Sequence, residues 1–170
     1  ILNDVVVRAL RFHGVEAVGI PPLAAAVAEK GRLSSLNADP FDLMMDRGIV
    51  PVLHGDVVMD RASGASIVSG DQLVVHLASA LGALRVGLAT DVPGVLHEGL
   101  VIPRLRPEEV ASLDLGGSSH TDVTGGMRGK IAELSVLVER GIEAHIFHVS
   151  RIRDYLEGSD HGGTILGGNT

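Results

Sequence analysis

Apolar residues along this chain recur with two spacings. Ile1, Val5, Val6, Ala9 and Leu10 fall on one helical face and predict a helix over 1–12, with Gly14 as its stop. Leu73, Val74, Leu77, Ala78 and Leu81 predict another over 71–81, and 131–140 is amphipathic with the same period. Residues 40–47 read as a helix with Asp39 as cap and Gly48 as exit, and 107–113 and 151–157 as short helices. The alanine-rich run 23–30 also reads as helical. Short apolar runs at 15–20, 49–53, 85–89, 144–149 and 164–166 predict strands, and 57–59 with 66–68 predict a hairpin around residues 60–64. Strands alternating with helices imply an α/β fold, a three-layer sandwich with a mostly parallel central sheet. No repeat, linker or low-complexity tract interrupts it, so residues 1–170 are expected to form a single domain. Ile1 stands in a helix already under way, which suggests an α/β unit incomplete at its N-terminus.

Composition narrows the chemistry. Aromatic residues make up 2% of the 170, with no Trp, so the core must be aliphatic and stacking platforms for single-stranded nucleic acid are missing. A net charge of −7 argues in the same direction against nucleic-acid partners. The absence of cysteine excludes disulfides and thiolate metal sites and favours a cytoplasmic location. No apolar run is long enough to span a membrane.

The most informative polar stretch is Thr121-Asp122-Val123-Thr124-Gly125-Gly126-Met127-Arg128-Gly129-Lys130, where one of only two lysines closes a glycine-rich helix start. Unpaired N–H groups and the positive end of the helix dipole attract phosphate there, and Lys130, one turn inside, is either a solvated helix lysine or a full charge on that phosphate. It is not a Walker A loop, because Thr124 holds the position of the first glycine and Ile131 follows the lysine. Three further loops follow predicted strands, the edge at which open α/β sheets bind ligands: His54-Gly55-Asp56, Ser69-Gly70-Asp71 and Thr90-Asp91-Val92-Pro93-Gly94. Asp71 either complements a helix dipole or holds an active-site lysine charged and aimed. Asp91 is either a turn former or a partner for ribose or backbone N–H groups. His54 is either a satisfied, half-buried histidine or part of a site. His145 and His148 lie three apart on a strand and face opposite ways, so no metal site is expected. Gly117-Ser118-Ser119-His120 lacks the nucleophile elbow of a serine hydrolase.

Four segments carry a resemblance: residues 50–58 around His54-Gly55-Asp56, Ile67-Val68-Ser69-Gly70-Asp71, Ala89-Thr90-Asp91-Val92-Pro93-Gly94-Val95, and Asp122 through Lys130. In order and spacing the chain resembles the amino acid kinase superfamily and, within it, the archaeal-type isopentenyl phosphate kinases. The resemblance implies ATP-dependent phosphorylation of isopentenyl phosphate to the diphosphate, with Mg²⁺. It casts Lys130 and Asp71 as catalytic, with Lys130 on ATP phosphate and Asp71 organising the active-site lysines. Thr90, Asp91, Gly94, Val95 and Gly126 would join Lys130 at the nucleotide, and His54, Gly55, Ser69 and Gly70 would meet the acceptor. Homodimers are common in the superfamily. Members also carry a preceding strand and glycine loop with a further lysine, then a His-Gly-Gly-Gly-type loop whose downstream histidine grips the acceptor phosphate. Neither is in this sequence, so the polypeptide by itself is expected to turn over poorly, one such donor contributing roughly 10²–10³ in rate. The rival readings are fosfomycin-type, acetylglutamate or uridylate kinases, and a non-catalytic nucleotide-binding subunit.

Overall fold

A computed structural model describes residues 1–106, 108–109 and 126–167. The chain divides into two compact units, Ile1–Leu81 and Gly82–Thr170. The expectations for 110–125, including most of the 107–113 helix, the loop through Gly117–His120 and the Thr121–Gly125 approach, lie outside the described residues.

In the first unit, helix α1 (Leu2–Phe12) runs beside the parallel pair β1 (Ala17–Gly19) and β4 (Val50–Val52). Asn3 donates from its side-chain amide to the Val52 carbonyl at 2.9 Å, and Arg11 Nε to that of Ala17 at 2.7 Å, so polar side chains tie the helix to both strands. Residues 23–30 are not helical. Pro22–Ala24 is a single 3₁₀ turn, and β2 (Ala26–Glu29) follows, antiparallel to β3 (Arg32–Leu36). Ala26 and Ala28 are buried while Glu29 is exposed, the two-residue alternation of a strand; that alternation outweighs the helix propensity of alanine once a sheet stands beside it. The turn between these strands is Lys30-Gly31, both at positive φ (52° and 79°), as a two-residue hairpin turn with the twist of its strands requires.

Hairpin β5 (Asp56–Asp60) and β6 (Gly64–Val68) forms as the sequence implies and completes a four-stranded sheet of order β3-β2-β5-β6. Its inner face buries Ala26, Ala28, Leu36, Val58 and Val68 with Phe41 and Leu73 from helices α2 (Asp39–Asp46) and α3 (Gly70–Ala80). Asp39 is not the cap of α2: Ala38 takes that position, and Asp39 sits in the first turn, donating its own N–H to Asn37 Oδ1 at 3.2 Å. A carboxylate there still complements the dipole.

The second unit is built on a sheet of order β10-β12-β11-β7, from β7 (Arg85–Thr90), β10 (Arg104–Leu105), β11 (Glu143–His148) and β12 (Thr164–Leu166). Strands β7 and β11 are parallel in full register, with helix α4 (Gly126–Val138) in the chain between them burying Ile131, Leu134 and Leu137. The small hairpin β8 (Leu96–His97) and β9 (Leu100–Val101) turns at Glu98-Gly99, again both at positive φ. Helix α5 (Ile152–Glu157) leads through a left-handed Gly158 toward β12. The α/β class holds, and the sheets are mixed: β1/β4, β2/β5, β7/β11 and β10/β12 pair in parallel, whereas hairpins and the β11/β12 return pair antiparallel. No helix among the described residues is long and apolar enough to cross a membrane.

Candidate functional site

The hairpin register brings two of the expected loops together. Asp56 pairs with Val68, so His54-Gly55 and Ser69-Gly70 leave the same end of the β5/β6 ribbon side by side. A Cβ on Gly55 would stand 3.2 Å from both the Gly70 nitrogen and the Val68 carbonyl, a tight fit against backbone that favours glycine. Ser69 caps α3, its hydroxyl accepting from the Gln72 N–H at 3.2 Å. Gln72 in turn accepts from the Leu33 N–H at 2.8 Å, and His76 Nε2 lies 2.9 Å from the Leu36 carbonyl, so the helix start is fixed to β3. Asp71 occupies the first turn of α3 and is partly exposed. His54 is exposed rather than half-buried; its Nδ1 lies 3.0 Å from the Gly55 carbonyl, a contact in which Nδ1–H donates and Nε2 is left as the acceptor.

Beside these loops the outer face of the ribbon is apolar and open. Val57 faces Ile67 directly across the strands, and Met59 follows on the same face; they are 49%, 63% and 60% exposed. The sequence marks these positions only as strand residues, because the alternation says which face is buried and not what the other face serves.

In the second unit the Thr90–Val95 loop leaves the C-terminal end of β7. Thr90 Oγ1 donates to the Val92 carbonyl at 2.8 Å, Asp91 is exposed, and Gly94 and Val95 are buried. The Val95 N–H goes to Thr164 Oγ1 at 2.8 Å and its side chain is fully buried, so Val95 anchors the loop. Gly126 begins the described part of α4 at positive φ, and Lys130 stands one turn further in, partly buried. The expected residues thus assemble as two sets: His54, Gly55, Ser69, Gly70 and Asp71 in the first unit, and Thr90, Asp91, Gly94, Val95, Gly126 and Lys130 in the second.

Sequence reasoning missed a buried polar relay in the second unit. The Gly163 N–H, which can only donate, gives to His161 Nδ1 at 3.0 Å. His161 therefore carries its proton on Nε2 and donates to His145 Nδ1 at 2.8 Å, and His145 donates from Nε2 to Glu143 at 2.7 Å. One tautomer of each neutral ring satisfies every bond. Burial lowers both imidazole pKa values below the ordinary 6.5, against the raising effect of Glu143 on His145 and of Asp160 and Asp154 on His161; Arg85 lowers both, and Arg151 lowers His161. With the folded values depressed, the unfolded chain binds more protons below pH 6.5, and the relay's contribution is lost as pH falls through that window. The midpoint of thermal unfolding is expected to drop between pH 7.5 and 5.5, and a His145→Gln/His161→Gln double variant to show a flatter dependence; equal slopes would refute the assignment. The signal available was a histidine set within the apolar run Ala144-His145-Ile146-Phe147, which we read only for metal binding. Among the described residues no cluster of three His, Asp or Glu could hold a metal ion.

Comparison with known proteins decides the family. Residues 1–148 match the amino acid kinase family, and these residues contain both loop sets. The chain belongs to the amino acid kinase family. Within that family it is 47% identical over 167 residues to the isopentenyl phosphate kinase of Haloferax volcanii, an alignment covering 98% of this chain and 66% of that protein. The isopentenyl phosphate kinase of Methanothermobacter thermautotrophicus is 39% identical, with 98% and 67% covered. A solved isopentenyl phosphate kinase structure superposes with a TM-score of 0.80 at 33% identity, covering 96% of this chain and 64% of that one. The amino acid kinase chain in hand therefore spans about two thirds of the length of these relatives.

Proposed function

We propose that the chain forms the larger part of an ATP-dependent, cytoplasmic kinase that converts isopentenyl phosphate to isopentenyl diphosphate. The observation that carries the choice of acceptor is the open apolar strip of Val57, Met59 and Ile67 alongside the Gly55 and Ser69-Gly70 loops. A prenyl phosphate has these two parts, a chain that gains by leaving water and an anionic head that needs backbone N–H donors. An amino acid or a uracil ring has little apolar surface to gain from the same strip. The 47% identity to a relative named for this activity supports the same reading.

In the proposed reaction an oxygen of the acceptor phosphate attacks the γ-phosphorus of ATP. A new P–O bond forms there, the bond to the β–γ bridging oxygen breaks, and ADP leaves with that electron pair. Such a transfer is mainly positioning and electrostatic stabilisation. Gly55 and the Ser69-Gly70 backbone would approach the acceptor phosphate, with His54 at its edge. Thr90, Asp91, Gly94 and Gly126 would line the nucleotide, with Val95 seating that loop. Lys130 would neutralise charge on the transferring group, and Asp71 would keep the site's ammonium groups charged and aimed. Mg²⁺ would supply further neutralisation of the phosphates.

The test is an acceptor panel with ATP on the full-length gene product: isopentenyl phosphate, fosfomycin, N-acetylglutamate and uridine monophosphate. Isopentenyl phosphate is expected to be preferred, and Ile67→Asp to raise its KM at least about tenfold by placing a charge on the apolar strip, with the KM for ATP unchanged. Preference for a polar acceptor would overturn the assignment.

A further inference from the structure

The loop expected to take the nucleotide is held by a residue far along the chain. Thr164, on β12 and fully buried, accepts a hydrogen bond from the Val95 N–H at 2.8 Å and donates its own proton to the Ile102 carbonyl at 2.7 Å. The Ile102 N–H returns to the Val95 carbonyl at 2.9 Å. These three bonds close a ring in which both backbone groups of Val95 and both of Ile102 are used. A hydroxyl fits well, because the bridging atom must accept and donate at once. The same oxygen sets the neighbouring backbone: a Cβ on Gly94 would lie 2.8 Å from Thr164 Oγ1 and 3.0 Å from Val101 Cγ1. Thr164 itself is held from two sides, by Ile165 N–H donating to the Pro103 carbonyl at 3.0 Å and by the antiparallel pairing with Ile146.

We infer that Thr164 is a positioning residue for the nucleotide, its hydroxyl closing the ring that fixes the Thr90–Val95 loop in binding geometry. The inference rests on the kinase reading above and goes beyond it, since Thr164 is none of the residues expected at either substrate and follows the last residue of the family match. A loop cut free of the ring must be ordered again each time nucleotide binds, so affinity for nucleotide falls while the acceptor side is untouched.

The experiment uses the full-length gene product and measures ADP binding by calorimetry together with both KM values. Thr164→Val keeps the shape and removes the bridge; it is expected to weaken ADP binding and raise the KM for ATP by about tenfold, with the acceptor KM within about twofold. Thr164→Ser restores the bridge and is expected to stay within about twofold of wild type on every reading. Should Thr164→Val fail to fold, Thr164→Cys, whose thiol is a weaker donor and acceptor, carries the same expectation at roughly threefold. A folded variant without the bridge that binds ADP as wild type does, or that raises both KM values alike, overturns the inference alone. A wild-type protein that binds no nucleotide overturns both it and the kinase reading.

Discussion

Lys130→Met is expected to lower kcat of the proposed full-length kinase by roughly 10²–10³-fold while leaving the fold intact, the usual consequence of removing one preorganised donor from developing charge. Lys130 sits one turn inside α4, where the helix dipole and the ammonium act in the same direction on a phosphate. It is partly buried, and methionine keeps most of its stem, so the burial of Ile131 and Leu134 on the same helix should survive. Lys130→Arg retains the charge but spreads it over a rigid plane, and only part of the rate is expected to return. The measurement is steady-state turnover with ATP and isopentenyl phosphate, beside a thermal unfolding scan. A kcat within about threefold of wild type would remove Lys130 from the mechanism, whereas a large fall in melting temperature would mean that the residue serves the fold.

Much of the chain could be read before any coordinates because its candidate loops are a local phenomenon. A strand end and the glycine or aspartate turn after it are written in adjacent residues, and the loops at 54–56, 69–71 and 90–94 follow strands in the described structure, although only the second opens a helix. Long periodic helices were equally legible, as α1, α3 and α4 show. The failures share a different cause. Residues 23–30 have the composition of a helix and the burial of a strand, and burial is decided by β5, some thirty residues away. The Lys30-Gly31 and Glu98-Gly99 hairpin turns put a charged residue at positive φ, which asparagine or aspartate would have announced and lysine or glutamate does not. The Thr164 ring and the His145–His161 bond join distant positions: Val95 and Thr164 stand 69 apart, His145 and His161 16 apart, and nothing near either member signals the other.

The same distinction explains why Asp60, which the sequence shows only as a turn residue, is expected to dominate the stability of the first unit. It is 4% exposed, and its carboxylate accepts from the Gly31 N–H at 2.7 Å, Ala62 at 2.8 Å, Ser63 at 3.0 Å, Lys30 at 3.2 Å and the Ser66 hydroxyl at 2.8 Å. One side chain thus satisfies the turns of both hairpins, β2/β3 and β5/β6. Those donors, Gly31 foremost, hold the carboxyl far below the usual carboxylate range despite the opposing effect of burial. Asn offers one oxygen where two are needed and turns its amide protons toward N–H groups that cannot accept them; Ala leaves every donor without its partner. Asp60→Ala and Asp60→Asn are therefore expected to lower the melting temperature more than any other substitution named above. Hydrogen exchange should quicken at the Lys30, Gly31, Ala62 and Ser63 amides together. Because the folded pKa is depressed, Asp60 contributes fully above the unfolded value near 3.8, and its contribution is lost as pH falls below it. Wild type should accordingly lose stability in that acid range more steeply than Asp60→Asn, which is already destabilised at neutral pH. An Asp60→Asn protein as stable as wild type at pH 7 would mean that the hairpin turns hold themselves, and that the buried carboxylate only follows a geometry fixed by the strands.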